Sequence, residues 1–191
     1  MQALKDRIAR EGINLGSGIL KVDSFINHQV DPLLMDACGA ELARLFKDTH
    51  PTRVLTAEIS GIAPALMTAR YLGVPVVYAR KTKPVTMTDM VYLTVAPSHT
   101  KGVLNELIVS PEYLQKGERV LIIDDFLATG ATIMGLVRLN EAAGATLVGI
   151  GALIEKTFEG GRELLSTLGV QIEALARISA LENGQIRFAE D

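Results

Sequence analysis

What the chain lacks narrows the field first. It holds one cysteine, Cys38, in 191 residues, so no intrachain disulfide framework is available and a reducing compartment fits. Cys38 stands in "DPLLMDACGAELARLF", which reads as an amphipathic helix, and no neighbour offers a base for a catalytic thiol. It is expected as a buried, inert thiol. No stretch reaches the ~20 apolar residues of a membrane span. The opening "MQALKDRIAREGI" alternates charges with single apolar residues and has no apolar run of the secretory kind. No block of like charge occurs, and the formal net charge is -3, which argues against nucleic acid as the main partner. The expectation is a soluble, cytoplasmic protein with small-molecule substrates and no membrane partner.

Two nucleotide-binding signatures are also missing. GxxxxGK[ST] occurs nowhere, which excludes a triphosphate loop of that type. "GSGILK" and "GIGALI" contain GxG without the third glycine of the dinucleotide fingerprint, and neither stands in a strand-to-helix turn. Both read as loop and strand glycines.

What is present is ordinary globular material, 48% apolar and 21% charged, of a length that predicts one domain. A short helix over 2–11 ends at Gly12. "GILKVDSFINHQVD" reads as extended or loop-like. Asp31 as cap and Pro32 at the first position then open a helix reaching Phe46. Apolar strands are predicted at 53–58, 74–80, 120–124, 146–155 and 170–178, with helices at 64–72, 132–143 and 160–168 between them. Such alternation describes an α/β fold with a parallel sheet covered on both faces. Ligand loops then lie at the carboxyl ends of the strands, in "EISG", "RKTK", "DDFLATGAT" and "EKTF". The segment 82–111 does not fit the alternation. It predicts a functional flap, with "MVYLTVAP" and "NELIVSP" as a hairpin inside it.

The chemistry concentrates in "VLIIDDFLATGAT". Asp124 and Asp125 follow an apolar strand directly. One strand-end aspartate commonly caps a turn; two adjacent ones repel each other, and capping alone does not explain them. They can ligate a metal, serve as acid or base, or accept hydrogen bonds from the two hydroxyls of a ribose. In "ATGAT", Gly130 permits a tight turn at a helix start, and Thr129 and Thr132 add hydroxyl donors. That is an anion site suited to a phosphate monoester. Diol acceptors followed by a phosphate loop describe a site for a ribose 5-phosphate.

This stretch resembles the phosphoribosyl diphosphate signature of type I phosphoribosyltransferases. With "KVDSFINHQVDPLLM", "SGIAPA", "GVPVVYARK" and "IGALIEKTFEGGRELL", the resemblance spans nearly the whole chain and is greatest to bacterial members that act on xanthine. It implies a mainly parallel five-stranded sheet flanked by helices, a hood from about 14–30 and the carboxyl terminus, and a flap at about 82–111. The implied reaction moves the 5-phosphoribosyl group from phosphoribosyl diphosphate to xanthine, with Mg2+ held through the pyrophosphate, in a homodimer.

The same resemblance assigns residues. Ala128, Thr129, Gly130, Ala131 and Thr132 would hold the 5-phosphate, and Asp124 and Asp125 the ribose hydroxyls, directly or through Mg2+. Glu58, Ser60 and Gly61 match the pyrophosphate loop. Ser60 stands where other versions carry a basic residue, so positive charge must come from Arg80 and Lys81, which otherwise read as a solvated strand end. Ala128 replaces an aspartate that handles the base's N7 proton in hypoxanthine-guanine enzymes. Asp89 and Glu106 of the flap are the available substitutes, and the role is unassigned. Phe126 is either a stacking face for the purine or a core residue. Lys156 suits exocyclic oxygens and not an adenine amino group. Leu20 and Asn27 match hood positions, and Lys101 is the flap's basic residue. The competing readings are another purine acceptor, adenine included, and a phosphoribosyl diphosphate-sensing regulator. The second is disfavoured because about thirty residues before the first core helix are too few for a winged helix.

Overall fold

Local signals written in the sequence set the first large helix. Asp31 Oδ1 accepts from the amides of Leu33 (3.0 Å) and Leu34 (3.1 Å), and Pro32 fills the first helical position of α2, Pro32–Phe46. The cap satisfies donors that the helix itself cannot. The computed structural model describes residues 1–97 and 104–189. Before α2 come α1 (Gln2–Glu11), β1 (Ile13–Gly16) and β2 (Ile19–Lys21). After it come β3 (Arg53–Ala57), α3 (Ile62–Leu72), β4 (Val76–Ala79), β5 (Tyr92–Pro97), β6 (Leu104–Val109), β7 (Arg119–Leu127), α4 (Ala131–Ala142), β8 (Thr146–Lys156), α5 (Gly161–Ser166), β9 (Ile172–Glu182) and β10 (Gln185–Phe188).

The main sheet has the order β10-β9-β8-β7-β3-β4. The five strands from β9 to β4 run parallel, as the alternation of elements requires, and β10 adds an antiparallel edge. Successive residues of β7 serve opposite faces. Leu121 and Ile123 join the apolar layer under α1, α2 and α3, while Val120 and Ile122 join the layer under α4 and α5. A strand buried on both sides must be apolar throughout, which is why "VLII" shows no alternation.

Several boundaries move. "GILKVDSFINHQVD" is not a plain loop: β1 and β2 pair antiparallel, and a wide helical turn follows at Asp23–Asn27. β7 does not stop at the aspartates but continues through Asp124 and Asp125 to Leu127, paired with β8 along that length. The sheet has six strands rather than five, because the turn at Asn183 and Gly184 returns the chain as β10. The hairpin in the 82–111 segment is present as β5 and β6, with Tyr92 opposite Val109 and Pro97 opposite Leu104. Its stem is tied to β4 by reciprocal bonds between Arg80 and Ile108 and to α4 by Arg138, which donates to Thr94 Oγ1 and Val95 O. Lys101 lies outside the described residues.

Cys38 is fully buried in α2, and burial pushes its thiol up to about 12. The glycines of "GIGALI" lie inside β8. A Cβ on Gly149 would come 2.7 Å from the Phe46 ring, and one on Gly151 2.7 Å from Ile123 Cδ1. Both are packing glycines. Among the described residues no helix is long and apolar enough to cross a membrane.

Helices α2 and α3 approach closely at Gly39 of α2, where a Cβ would lie 2.6 Å from Met67 C and 2.9 Å from Thr68 N of α3. Helix propensity alone favours Gly39→Ala by about 1 kcal/mol. Backbone overlap with α3 outweighs it, since overpacking costs about 1–3 kcal/mol. Gly39→Ala is therefore expected to lower stability in urea unfolding; a rise would mean that α3 is free to move.

Candidate active site

The carboxyl ends of β7 and β8, the start of α4 and the β1–β2 hairpin enclose a cleft of about 310 Å³. That is at the small end of the range for small-molecule sites. Asp124, Asp125, Phe126, Ala128, Thr129, Gly130, Ala131, Thr132, Leu20, Asn27, Ser60, Lys81 and Lys156 all line it. A narrower cavity of about 110 Å³ shares Ser60, Lys81, Asp124, Asp125 and Thr132, and adds Glu58 and Asn105.

Asp124 and Asp125 are buried to 6% and 8% exposure. Asp124 Oδ1 accepts from the Asp125 amide at 3.0 Å. Burial, then the neighbouring Asp125 charge, hold the Asp124 carboxyl well above the usual carboxylate range, and Lys81 pulls weakly the other way. Asp125 Oδ2 accepts from Asn27 Nδ2 at 3.2 Å, which links the amino-terminal segment to the central strand. Gly61 backs Asp124, since a Cβ there would fall 2.7 Å from Asp124 Oδ1.

The loop after β7 turns into α4 at Gly130, which has φ +79° and caps the helix. Met134 N is the first helical amide to find its acceptor, Gly130 O, at 2.9 Å. Ala131, Thr132 and Ile133, ahead of it, line the cleft, so a helix amino terminus with its partial positive charge opens there.

At the opposite side stands Lys156, the last residue of β8. It is 6% exposed, so it is no surface lysine. Its ammonium donates to Gly18 O (2.7 Å) and Glu159 Oε1 (3.1 Å) and lies 5.6 Å from the centre of the Phe126 ring. Phe126 and Leu20 each do two things: both line the cleft and both pack on the apolar layer under α1 and α2.

Arg80, Asp89 and Glu106 are not among the residues that line either cavity. Arg80 borders a separate cleft with Tyr78 and Tyr113. Its Nε sits 3.1 Å from Glu58 Oε2, and Glu58 Oε1 accepts from Lys81 N at 2.6 Å. Of the two cations after β4, Lys81 thus faces the cleft and Arg80 does not. Asp89 is paired with Lys83, and Glu106 stands on β6 opposite Val95. Ile19, Pro97 and Ile133 line the cleft without having been singled out. Pro97 and Asn105 had a signal in the hairpin pattern, because cross-strand pairing fixes which flap residues reach the carboxyl end of β7.

This arrangement joins a helix amino terminus, two buried adjacent aspartates, and an aromatic ring with a buried cation at its edge. The comparisons agree with it. A xanthine phosphoribosyltransferase of Shouchella clausii is 53% identical over 192 residues, covering 100% of this chain and 96% of that protein. One from Lactobacillus delbrueckii subsp. bulgaricus is 51% identical over 188 residues, covering 98% and 100%. Among solved structures, the adenine phosphoribosyltransferase of Giardia lamblia complexed with 9-deazaadenine superposes with a TM-score of 0.76 at 24% identity, covering 93% and 98%. That of Rhodothermus marinus gives 0.73 at 26%, covering 93% and 99%. The phosphoribosyl transferase domain family matches residues 29–164, and this chain, with its type I α/β sheet, belongs to that family.

Proposed function

We propose that the protein transfers the 5-phosphoribosyl group of phosphoribosyl diphosphate to xanthine. The products are xanthosine 5'-monophosphate and pyrophosphate, a step of purine salvage. The observation that carries the choice of base is Lys156, a buried ammonium at the edge of the Phe126 ring. It can donate to an exocyclic oxygen and has nothing to accept from an amino group. The relatives at about half identity carry the same activity in their names.

In this reading the loop from Ala128 to Thr132 takes the 5-phosphate on the amides at the start of α4. Asp124 and Asp125 accept from the ribose hydroxyls. Phe126 and Leu20 cover the purine, Lys156 and Asn27 read its oxygens, and Ser60, Gly61 and Lys81 meet the pyrophosphate. The bond from C1 to the pyrophosphate oxygen breaks as a purine nitrogen bonds to C1. Positive charge builds on the ribose in between, and the Asp125 carboxylate beside it stabilises that charge. The β5–β6 hairpin acts as a flap that excludes water.

Among the described residues no group of three or more His, Cys, Asp or Glu side chains converges as a metal cage. Two carboxylates beside the diphosphate position instead suit Mg2+, which is commonly held by one or two carboxylates, substrate phosphates and water. Asp124 and Asp125 would hold it, and it would supply charge neutralisation for the leaving pyrophosphate. A homodimer in the cytoplasm completes the reading. Sedimentation should give twice the chain mass.

Nucleotide formation from xanthine, guanine, hypoxanthine and adenine in parallel tests the assignment. Xanthine should be preferred, and turnover of adenine alone would overturn it. Absence of pyrophosphate release with every base would point to a sensor. Lys156→Met is expected to lower kcat/KM for xanthine by about 10- to 100-fold, the worth of a hydrogen bond to a charged group at about 1.5–3 kcal/mol. The KM for phosphoribosyl diphosphate should hardly move.

Asp124 gives a pH dependence. Its carboxyl keeps a proton in the folded chain at pH values where the unfolded chain, near the ordinary value of 3.8, has lost it. Its contribution to stability therefore falls as pH rises from about 4, until the raised folded value is passed. Asp124→Asn is expected to stabilise the protein against urea without substrate, with a gain that grows between pH 4 and neutrality. Turnover should fall on the order of 100-fold. An equal effect on stability at pH 4 and pH 7 would show that the Asp124 carboxyl is not strained by burial.

A further inference from the structure

Glu155 is an almost fully buried carboxylate that the reaction does not use, with a side chain 2% exposed. It precedes Lys156 on β8 and pairs in register with Leu127, the residue before the phosphate loop. Arg162 grips it with both ends of its guanidinium: Nε to Oε1 at 2.8 Å and Nη2 to Oε2 at 2.7 Å. The third donor, Nη1, reaches Ile172 O at 2.9 Å. A fork of this kind fixes position as well as charge. Arg177 adds a single bond from Nε to Oε2 at 3.1 Å.

Gly161, the residue before Arg162, lies against the back of the phosphate loop. Its amide donates to Ala128 O at 3.0 Å. A Cβ on Gly161 would fall 2.8 Å from Gly130 N and 2.9 Å from Leu127 Cδ1, and would overlap Ala128 O. No side chain larger than hydrogen fits there while the loop keeps its path. The Ala128–Thr129 peptide is trans, so its N–H points opposite to its C=O. Holding Ala128 O on the Gly161 side therefore turns the Thr129 amide the other way, and Ala128 and Thr129 line the cleft.

We propose that Gly161, held by the Glu155–Arg162 ion pair, is a positioning residue that aims the Thr129 amide at the 5-phosphate of the donor. The proposal rests on the reading of residues 128–132 as the phosphate loop. It adds a second strand, β8, as the element that sets the loop's orientation. Because Lys156 follows Glu155 on that strand, one backbone segment references both the purine and the phosphate ends of the cleft.

Calorimetric titration with ribose 5-phosphate and, separately, with pyrophosphate tests this on the full chain. Gly161→Ala and Arg162→Lys are each expected to weaken ribose 5-phosphate, by on the order of 10- to 100-fold for the glycine variant. Pyrophosphate should stay within about twofold of the parent, and the KM for xanthine likewise. Arg177→Lys, which touches Glu155 but sits away from the loop, should leave ribose 5-phosphate affinity within about twofold. Equal loss for both ligands in the Arg162 variant would mean general damage and would overturn the proposal. So would equal effects of Arg162→Lys and Arg177→Lys, or unchanged ribose 5-phosphate binding in Gly161→Ala. If Gly161→Ala does not fold, the two arginine variants decide alone. A parent protein that binds ribose 5-phosphate but makes no nucleotide from xanthine would sink the functional reading and leave this test standing.

Discussion

Burying two carboxylates on consecutive residues of a central strand costs free energy that packing cannot return. Asp124 meets the cost in part by holding its proton, and Asp125 by accepting from Asn27. The surroundings are arranged around that cost. A glycine, Gly61, stands behind Asp124 where any side chain would strike its oxygen. The amino terminus of α4 opens beside the pair, and Lys81 reaches over from the end of β4. A fold selected for stability alone would put apolar residues at both positions. In the proposed reading a polyol and its cation replace water around the carboxylates.

The ladder between β7 and β8 then fixes distances that loops alone would leave free. Asp124 stands opposite Ala152, Phe126 opposite Ile154, and Leu127 opposite Glu155, with Lys156 one step beyond. Asp124, the Phe126 ring and the Lys156 ammonium are thus separated by whole residue steps of two hydrogen-bonded strands. Such elements hold geometry more tightly than loops do. Had β7 ended at Asp124, Phe126 would belong to a loop and its ring could not be held against the Lys156 ammonium.

Much of this was legible in the residues. The uninterrupted apolar run at 120–123 announced a doubly covered strand, and Asp31-Pro32 announced a helix start, because both signals act within one element. The loop of Ala128 to Thr132 was legible for the same reason. What escaped depends on partners distant in the chain. β10 needs β9 as a template, and its four residues carry little pattern of their own. Nor could the ending of β7 be read from its sequence: two aspartates look like a strand end until β8 is seen to pair beyond them. Arg80 and Lys81 read alike, yet alternation along the chain sends one to each side, and only the packing of Tyr78 and Glu58 shows which. The interior placement of Lys156 also depends on residues distant in the chain, since it is buried beside Gly18 and Phe126.

That burial has a consequence for how a purine is chosen. In this structure Lys156 donates to Gly18 O and Glu159, and Asn27 donates to Asp125. The groups that would read the base are already satisfied by the hood and the central strand. A purine must therefore exchange one set of hydrogen bonds for another, each worth about 1.5–3 kcal/mol because a charged group takes part, so the net gain from the exchange is small. Apolar contact with Phe126 and Leu20 is nearly the same for any purine. Discrimination then falls on the mismatched cases. A base that offers an amino group where Lys156 needs an acceptor leaves a buried ammonium short of a partner, a larger penalty than any gain from a good match. In the proposed reading, selectivity in this cleft comes from what the wrong base fails to accept, and it is available because β8 carries Lys156 into the interior rather than to the surface.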